Sequence, residues 1–548
     1  MQTRSKRVPG AAVLVWSLLA YAPASGAQVQ GASISWRDYS DDVFAQAKRE
    51  GRLVLLDLGA VWCHWCHVME ETTYKDEAVV ALVSSRFVAV RVDQDARPDL
   101  SNRYEDYGWP ATVIFDAKGT ELVKFSGYIE PRRMASLLLG VIEDPTPGPS
   151  AQGVEPSRLA LAGPSRLALA EPVAAGSALS PELRDELQKL LVERYDEKQA
   201  GWGFAKKFVD WDAVEYSLRR ARAGDEAAAG RARETLAAGR KLIDPVWGGV
   251  YQYSHGGNWD NPHFEKLTVF QAELLRIYAL AYAQWRDPAD LRAARDVERY
   301  LSSFLKGADG GFYTSQDADL TQGEHAASYF ALPDAERRRR GVPRIDTHVY
   351  ARETAQAASG LLAFHEATGE AAPRQAAERA ARFLLAHRSL RGGGFSHAEA
   401  DATGPYLGDT LMAGRLFLDL YAATGERPWL AHAEAAAGFI AERFRRDGTL
   451  GFVTAATGSA FAPPLPQREE NALLARFASR LFQVTGREAY RTMARDALAF
   501  LSIPMVARRP STASVLLADL ELRGDPELST DPELSTDPRL STDVPRRE

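Results

Sequence analysis

Cysteine is nearly absent from this chain. There are two in 548 residues, Cys63 and Cys66. That excludes the disulfide framework of small secreted domains. A bridge between neighbours so close in sequence would close a tiny loop and remove little entropy from the unfolded chain. The pair therefore points to reactivity or ligation, not to stapling. A charge excess of one sign is also missing. With 66 basic and 73 acidic residues the net charge is −7, which leaves no electrostatic footprint for nucleic acid. Long apolar runs are missing after the first 30 residues, so no later segment reads as a membrane span. Apolar residues themselves are plentiful. At 45% hydrophobic and 25% charged the chain can bury large cores and is neither disordered nor collagenous. Its length allows about three or four domains, though one large helical domain could absorb half of it.

The first segment reads as an address. Arg4, Lys6 and Arg7 precede an apolar run from Val8 to Ala22, and Ser25-Gly26-Ala27 offers small residues at a cleavage site. The expectation is a signal peptide over 1–27 and a mature protein that is soluble and secreted or periplasmic. A membrane anchor is the competing reading, but the run is shorter than the ~20 apolar residues that span a bilayer. No cysteine near Ala27 could carry a lipid.

Three compositional breaks divide the rest. Residues 28–144 mix strand and helix patterns. Residues 145–180 open on Pro145-Thr-Pro-Gly-Pro149 and nearly repeat Pro-Ser-Arg-Leu-Ala-Leu-Ala at 156 and 164, a linker composition. Residues 181–524 are almost wholly helical in period. The tail, 525–548, repeats Asp-Pro-Glu-Leu-Ser-Thr, and its regular prolines and few apolar groups predict disorder.

Within 28–144, Leu53–Leu58, Phe87–Val92, Ala111–Phe115 and Leu122–Phe125 predict strands, with helices at 42–50, 63–71, 76–84 and from Pro131. This is a small α/β domain with a mixed sheet. Trp62-Cys63-His64-Trp65-Cys66-His67 follows the first strand and opens a helix. Free N–H groups and the helix dipole there stabilise a thiolate at Cys63, the nucleophile. Cys66, one turn on, is the resolving thiol. Asp57, on the preceding strand, is placed to move protons for Cys66. Gly108-Trp109-Pro110, before the third strand, suits a cis proline that stacks on the disulfide and presents backbone to a substrate. Two other chemistries share these residues. Cys63-His-Trp-Cys66-His67 matches a c-type haem attachment, and the cysteines with His67 could ligate zinc. The strand–helix setting favours neither, so the reading takes no metal and no cofactor beyond the redox-active disulfide.

Asp57, the Trp-Cys-X-X-Cys at 62–66 and the Gly-X-Pro ending at Pro110, in this order, resemble a thioredoxin-like domain. In the helical half, Gly-aromatic turns recur at 201–204, 248–251, 310–313, 393–395 and 451–452. One supersecondary unit repeated in this way predicts five or six helix pairs closing into an (α/α) toroid around a central cavity; an open solenoid is the alternative. Polar clusters beside the turns, with His255, His263, Glu265, Asp317 and Asp319, combine aromatic faces with carboxylates as a sugar site would. The same residues could instead cap helices and pack hairpins.

Cys63-His-Trp-Cys-His-Val-Met-Glu70, Pro262-His-Phe-Glu-Lys266 and Gly310-Gly-Phe-Tyr-Thr-Ser-Gln-Asp-Ala-Asp319 together resemble the spermatogenesis-associated protein 20 family, also called the YyaL-type thioredoxin-domain proteins. The resemblance implies a thioredoxin-like domain followed by an (α/α)6-barrel similar to the six-hairpin glycosidases. Two departures fall in the barrel, at Leu267-Thr-Val-Phe-Gln271 and Tyr350-Ala-Arg-Glu-Thr354, while the redox motif is intact. The expected function is a thiol–disulfide oxidoreductase acting on protein thiols or disulfides, with Trp62, Trp65 and Trp109 shaping the groove and the barrel binding a partner, glycan or small molecule. The rival is a carbohydrate-processing or carbohydrate-binding barrel with a regulatory or vestigial thioredoxin-like domain.

Overall fold

The computed structural model describes residues 33–104, 108–148, 179–401 and 403–524. The signal segment, most of the linker and the repeat tail lie outside the described residues. Among the described residues no helix is long and apolar enough to cross a membrane.

The N-terminal unit is built on a four-stranded sheet of order β2-β1-β3-β4, with β1 Leu53–Gly59, β2 Phe87–Asp93, β3 Ala111–Phe115 and β4 Glu121–Ser126. β1 runs parallel to β2 and antiparallel to β3, and β3 pairs antiparallel with β4. Alternation along β1 sends Val54, Leu56 and Leu58 to one face and Leu55 to the other. The first face packs on α1 (Asp41–Glu50) and α4 (Pro98–Tyr104); the second packs on α3 (Glu77–Arg86) and α5 (Pro131–Glu143). Between them α2, His64–Glu71, leaves the end of β1. Helix α3 starts where expected because the Asp76 carboxylate accepts from the N–H groups of Ala78 and Val79. The sequence reading did not place α4, a short helix after β2.

The C-terminal unit is a closed ring. Its twelve long helices among the described residues are α6 Pro181–Glu193, α7 Trp211–Arg222, α8 Glu226–Gly239, α9 Thr268–Trp285, α10 Pro288–Tyr300, α11 Ala351–Thr368, α12 Ala371–His387, α13 Leu407–Thr424, α14 Arg427–Arg443, α15 Arg468–Thr485, α16 Glu488–Leu501 and α17 Ala513–Arg523. Helices α7, α9, α11, α13, α15 and α17 pack side by side as an inner layer, and α17 returns to α7, so the ring closes and is not a solenoid. Helix α17 also packs on α6, so the sixth hairpin joins the first and last helices. Leu179 belongs to this clasp. It is buried and its N–H donates to Asp519, which also holds Arg184, so the packing of the ring already includes Leu179.

The Gly-aromatic turns are packing devices. Four of the five, all but the one at 201–204, seat one backbone N–H on the fourth residue of an inner helix: Val250 on Gln271, Phe312 on Thr354, Phe395 on Thr410 and Phe452 on Asn471. Gly393 shows why glycine is needed. It has φ 97°, and a Cβ there would lie 2.7 Å from the Ala435 backbone. The axis of the ring differs from the expected cavity. Buried Glu215, Arg476 and Glu521, from α7, α15 and α17, and half-buried Arg276 of α9 are cross-linked by ion pairs, with Arg219 joining Glu215 and Glu521.

The two units dock at the loop end of the ring. Phe461, between α14 and α15, stacks on Phe44 of α1 at 4.1 Å, and Ala462 is buried in the same core. Asn102 of α4 donates to Thr454 and Glu470, and His397 contacts the Asp95 carbonyl at 2.7 Å.

Candidate active site at the domain junction

Cys63 and Cys66 form a disulfide. Cys63 caps α2: its backbone is extended and its Sγ accepts from the Cys66 N–H at 3.2 Å. The sulfur that would carry the thiolate therefore sits at the positive end of the helix, as the sequence implies. Trp109–Pro110 is a cis peptide, and Trp109 packs against the two cysteines together with Leu267. Leu267 comes from the barrel and is one of the departures from the family pattern. Asp57 lies on the same face of β1 as Gly59, where a Cβ would lie 3.4 Å from Cys66 Sγ. It accepts from Tyr74 Oη at 3.1 Å and from Arg91 Nε at 3.2 Å. Burial pushes its carboxyl above the usual range, against the pull of Arg91 and Tyr74.

The sequence-predicted residues separate into three groups. Trp62 does not line a groove. It is buried, its indole N–H donates to Asp95 at 2.7 Å, and its carbonyl accepts from Ala318, so it ties the two units together. Trp65 is 40% exposed and leans on His64 and Tyr128, marking the open side of the site. The residues assigned to a sugar pocket converge instead on helix α2. Asp319 Oδ1 meets His64 Nδ1 at 2.7 Å, and Asp319 Oδ2 meets His67 Nδ1 at 3.1 Å. Asp317 stands 3.6 Å from the same His67 nitrogen. Glu265 accepts from the His64 N–H at 3.4 Å, while its Oε2 lies 3.9 Å from His263. His263 stacks on Tyr253, and exposed His255 approaches His263 edge-on at 5.2 Å.

Sequence reasoning missed the partners His64, His67 and His325. His325 lies edge-on to His64 at 5.7 Å. Five of the chain's ten histidines thus gather here: His64, His67, His255, His263 and His325. That scarcity and the polar runs around them were the available signal. Burial pushes Asp317 up to about 7; His67 opposes this, and Asp319 and Glu265 add to it. Burial would also raise Asp319, but His64 and His67 hold it below the ordinary range. Burial disfavours a charged His67, yet Asp319 and Asp317 outweigh it and raise the ring's pKa. His67, Asp317 and Asp319 each aim one donor atom into a common space, all within 4.8 Å of one another, and could hold a metal ion.

Comparison with known proteins matches this division. The family model Thioredox_DsbH, described as a protein of unknown function (DUF255), matches residues 26–141. Spermatogenesis-associated protein 20 of Homo sapiens is 29% identical over 315 residues, 52% of this chain and 39% of that protein. The chain spans about two fifths, 39–41%, of the length of that protein and of its worm, mouse and rat counterparts. The thiol:disulfide interchange protein DsbD of Ralstonia nicotianae is 37% identical over 84 residues, 15% of this chain and 14% of that one. Among solved structures, a sugar epimerase from a ruminal bacterium superposes with a TM-score of 0.50 at 13% identity, over 63% of this chain and 98% of that chain. The chain resembles the spermatogenesis-associated protein 20 family, and its fold is a thioredoxin-like domain followed by an (α/α)6 ring.

Proposed function

We propose that the protein is an exported thiol–disulfide oxidoreductase whose reactive pair works at the mouth of the helical ring. The observation that carries this reading is the Cys63–Cys66 disulfide at the start of α2, with Trp109 packed on the cluster that holds Cys63 and buried Asp57 on the preceding strand. Export is supported by the basic and apolar start of the chain.

Chemically, the Cys63 thiolate attacks one sulfur of a substrate disulfide. A Cys63–substrate bond forms, the substrate S–S bond breaks, and the departing thiolate takes a proton. The Cys66 thiolate then attacks Cys63 Sγ, restoring the internal disulfide and releasing the second substrate thiol. Run backward, the same steps oxidise a dithiol. Asp57, its carboxyl pushed up by burial, is the group on the preceding strand for the Cys66 proton. Leu267 of the barrel packs on the cluster that buries Cys63, so the barrel limits what reaches the sulfur, and a protein thiol or disulfide would enter on the Trp65 side. The carbohydrate reading has less support. The residues it requires, His263, Glu265, Asp317 and Asp319, surround the dithiol, and ion pairs cross the ring's axis.

A glutathione redox series on the mature chain, followed by tryptophan fluorescence, tests the proposal. A reversible two-electron transition that disappears in Cys66→Ser is expected. A wild-type chain without any transition overturns it.

A further inference from the structure

The histidine–carboxylate cluster asks for a cation that a disulfide site does not need. His67 Nε2 lies 3.0 Å from the Val61 carbonyl, so that nitrogen carries the ring proton. In the neutral ring, Nδ1 then points its lone pair at Asp319 and Asp317, 3.1 and 3.6 Å away. The two carboxylates then call for a positive charge at Nδ1, which either a second ring proton or a metal ion in its place supplies. A ring nitrogen bonded to a backbone carbonyl is also the usual outer support of a metal-ligating histidine. The two carboxylates are supported in the same way. The Asp317 oxygen facing His67 accepts from the Asp319 N–H at 2.9 Å, and Asp319 Oδ2 accepts from the Gly323 N–H at 2.9 Å. The other Asp319 oxygen is fixed by His64 at 2.7 Å.

The spacing fits an ion. Tetrahedral coordination at bonds of ~2.0–2.1 Å keeps donor atoms roughly 3.3 Å apart. The His67–Asp319 and His67–Asp317 separations of 3.1 and 3.6 Å bracket that value. A second observation points the same way. Glu265, 3% exposed beside His64, adds a third buried carboxylate to the neighbourhood, and its Oε2 makes no hydrogen bond and lies 3.9 Å from His263.

We propose that His67 Nδ1, Asp317 and Asp319 form a binding site for a divalent first-row transition ion such as Zn²⁺, next to the dithiol and shared between the two domains. One imidazole with two carboxylates suits such an ion and leaves a position open for water or substrate. The ion bridges α2 of the thioredoxin-like domain to the barrel loop that follows Ser315-Gln316, so its binding also locks the domains together. The inference stands apart from the oxidoreductase reading, because neither cysteine is a ligand.

The test is a titration of the chelator-treated, full chain with Zn²⁺ alone, by calorimetry and by metal analysis after dialysis. One ion per chain is expected. His67→Gln and Asp317→Asn should each weaken binding by at least ~10-fold and abolish the rise in melting temperature that Zn²⁺ gives the wild type. The Cys63→Ser/Cys66→Ser double variant should keep the ion. If His67→Gln does not fold, Asp317→Asn decides, since the Asp317 carboxylate accepts from the Asp319 N–H of its own loop and an amide oxygen can keep that bond. Absence of stoichiometric binding, unchanged binding in Asp317→Asn, or loss of the ion in the double cysteine variant would each overturn the proposal.

Discussion

Two histidine–carboxylate groups sit at the same domain junction, and they are built differently. At His397, both ring nitrogens face oxygens. Nδ1 lies 2.9 Å from Asp409, and Nε2 lies 2.7 Å from the Asp95 carbonyl. Tyr350 stacks flat on the ring at 4.1 Å. Burial works against the charge, but Asp409 raises the pKa to about 9, so the ring is an imidazolium. Next to it Arg352 pairs with Glu353. Two cations, His397 and Arg352, face two anions, Asp409 and Glu353, although Glu353 Oε2 makes no hydrogen bond. At His67 three carboxylates, Asp317, Asp319 and Glu265, gather around His64 and His67. The balanced group behaves as a fastener. The unbalanced one keeps capacity for something else, and it is the one beside the sulfurs.

The sharpest way to break this contrast is to remove each ring. His397→Gln leaves Asp409 buried and unpaired and should cost about 3–5 kcal/mol in urea unfolding, with the redox midpoint unmoved. His67→Gln should cost less, because Asp319 keeps His64. Equal losses would dissolve the distinction. The wild type also carries a pH signature. The raised pKa of His397 means its contribution is complete below ~6.5, the unfolded value, and is lost as pH rises through about 9. His397→Gln should flatten that window.

A smaller effect sharpens the balanced side. Burial raises the Glu470 carboxyl to about 7, against the pull of Thr454 and Arg352. A carboxyl raised in the folded state loses stability as pH climbs from its unfolded value through 7. Glu470→Gln keeps an oxygen for Asn102 and should stabilise the chain by about 2 kcal/mol at pH 8 and hardly at all at pH 4. The smallest effect lies away from both groups. Thr410→Val strips the Phe395 N–H of its acceptor and should cost about 1 kcal/mol, leaving redox and metal titrations unchanged.

How much of this was legible depends on distance along the chain. Cys63, Cys66, Asp57 and Pro110 could be read because strand, motif and helix follow one another within one small domain. The repeat of Gly-aromatic turns revealed the ring, since each hairpin is local. The barrel's Asp317 and Asp319 were visible as polar residues beside a turn, and there they looked like sugar ligands. Their partners, His64 and His67, lie some 250 residues earlier, and no periodicity records that encounter. The closing of α6 on α17 was hidden for the same reason. The departures at Leu267, Gln271 and Thr354 acquired meaning only in three dimensions. Leu267 lies on the sulfurs, and Gln271 and Thr354 hold turns.

That closing has a temporal side. Synthesis runs from the thioredoxin-like domain toward α17, and the sixth hairpin has no connecting loop of its own: its two helices are the ring's first and last. Until Asp519 arrives to grip Leu179 and Arg184, the wall has an open seam between α7 and α15. The dithiol domain is made long before that seam is sealed, and before the loops bearing Leu267 and Asp319 exist to cover it. For that interval on the ribosome the sulfurs stand uncovered, and the barrel's arrival converts an open reagent into a guarded one.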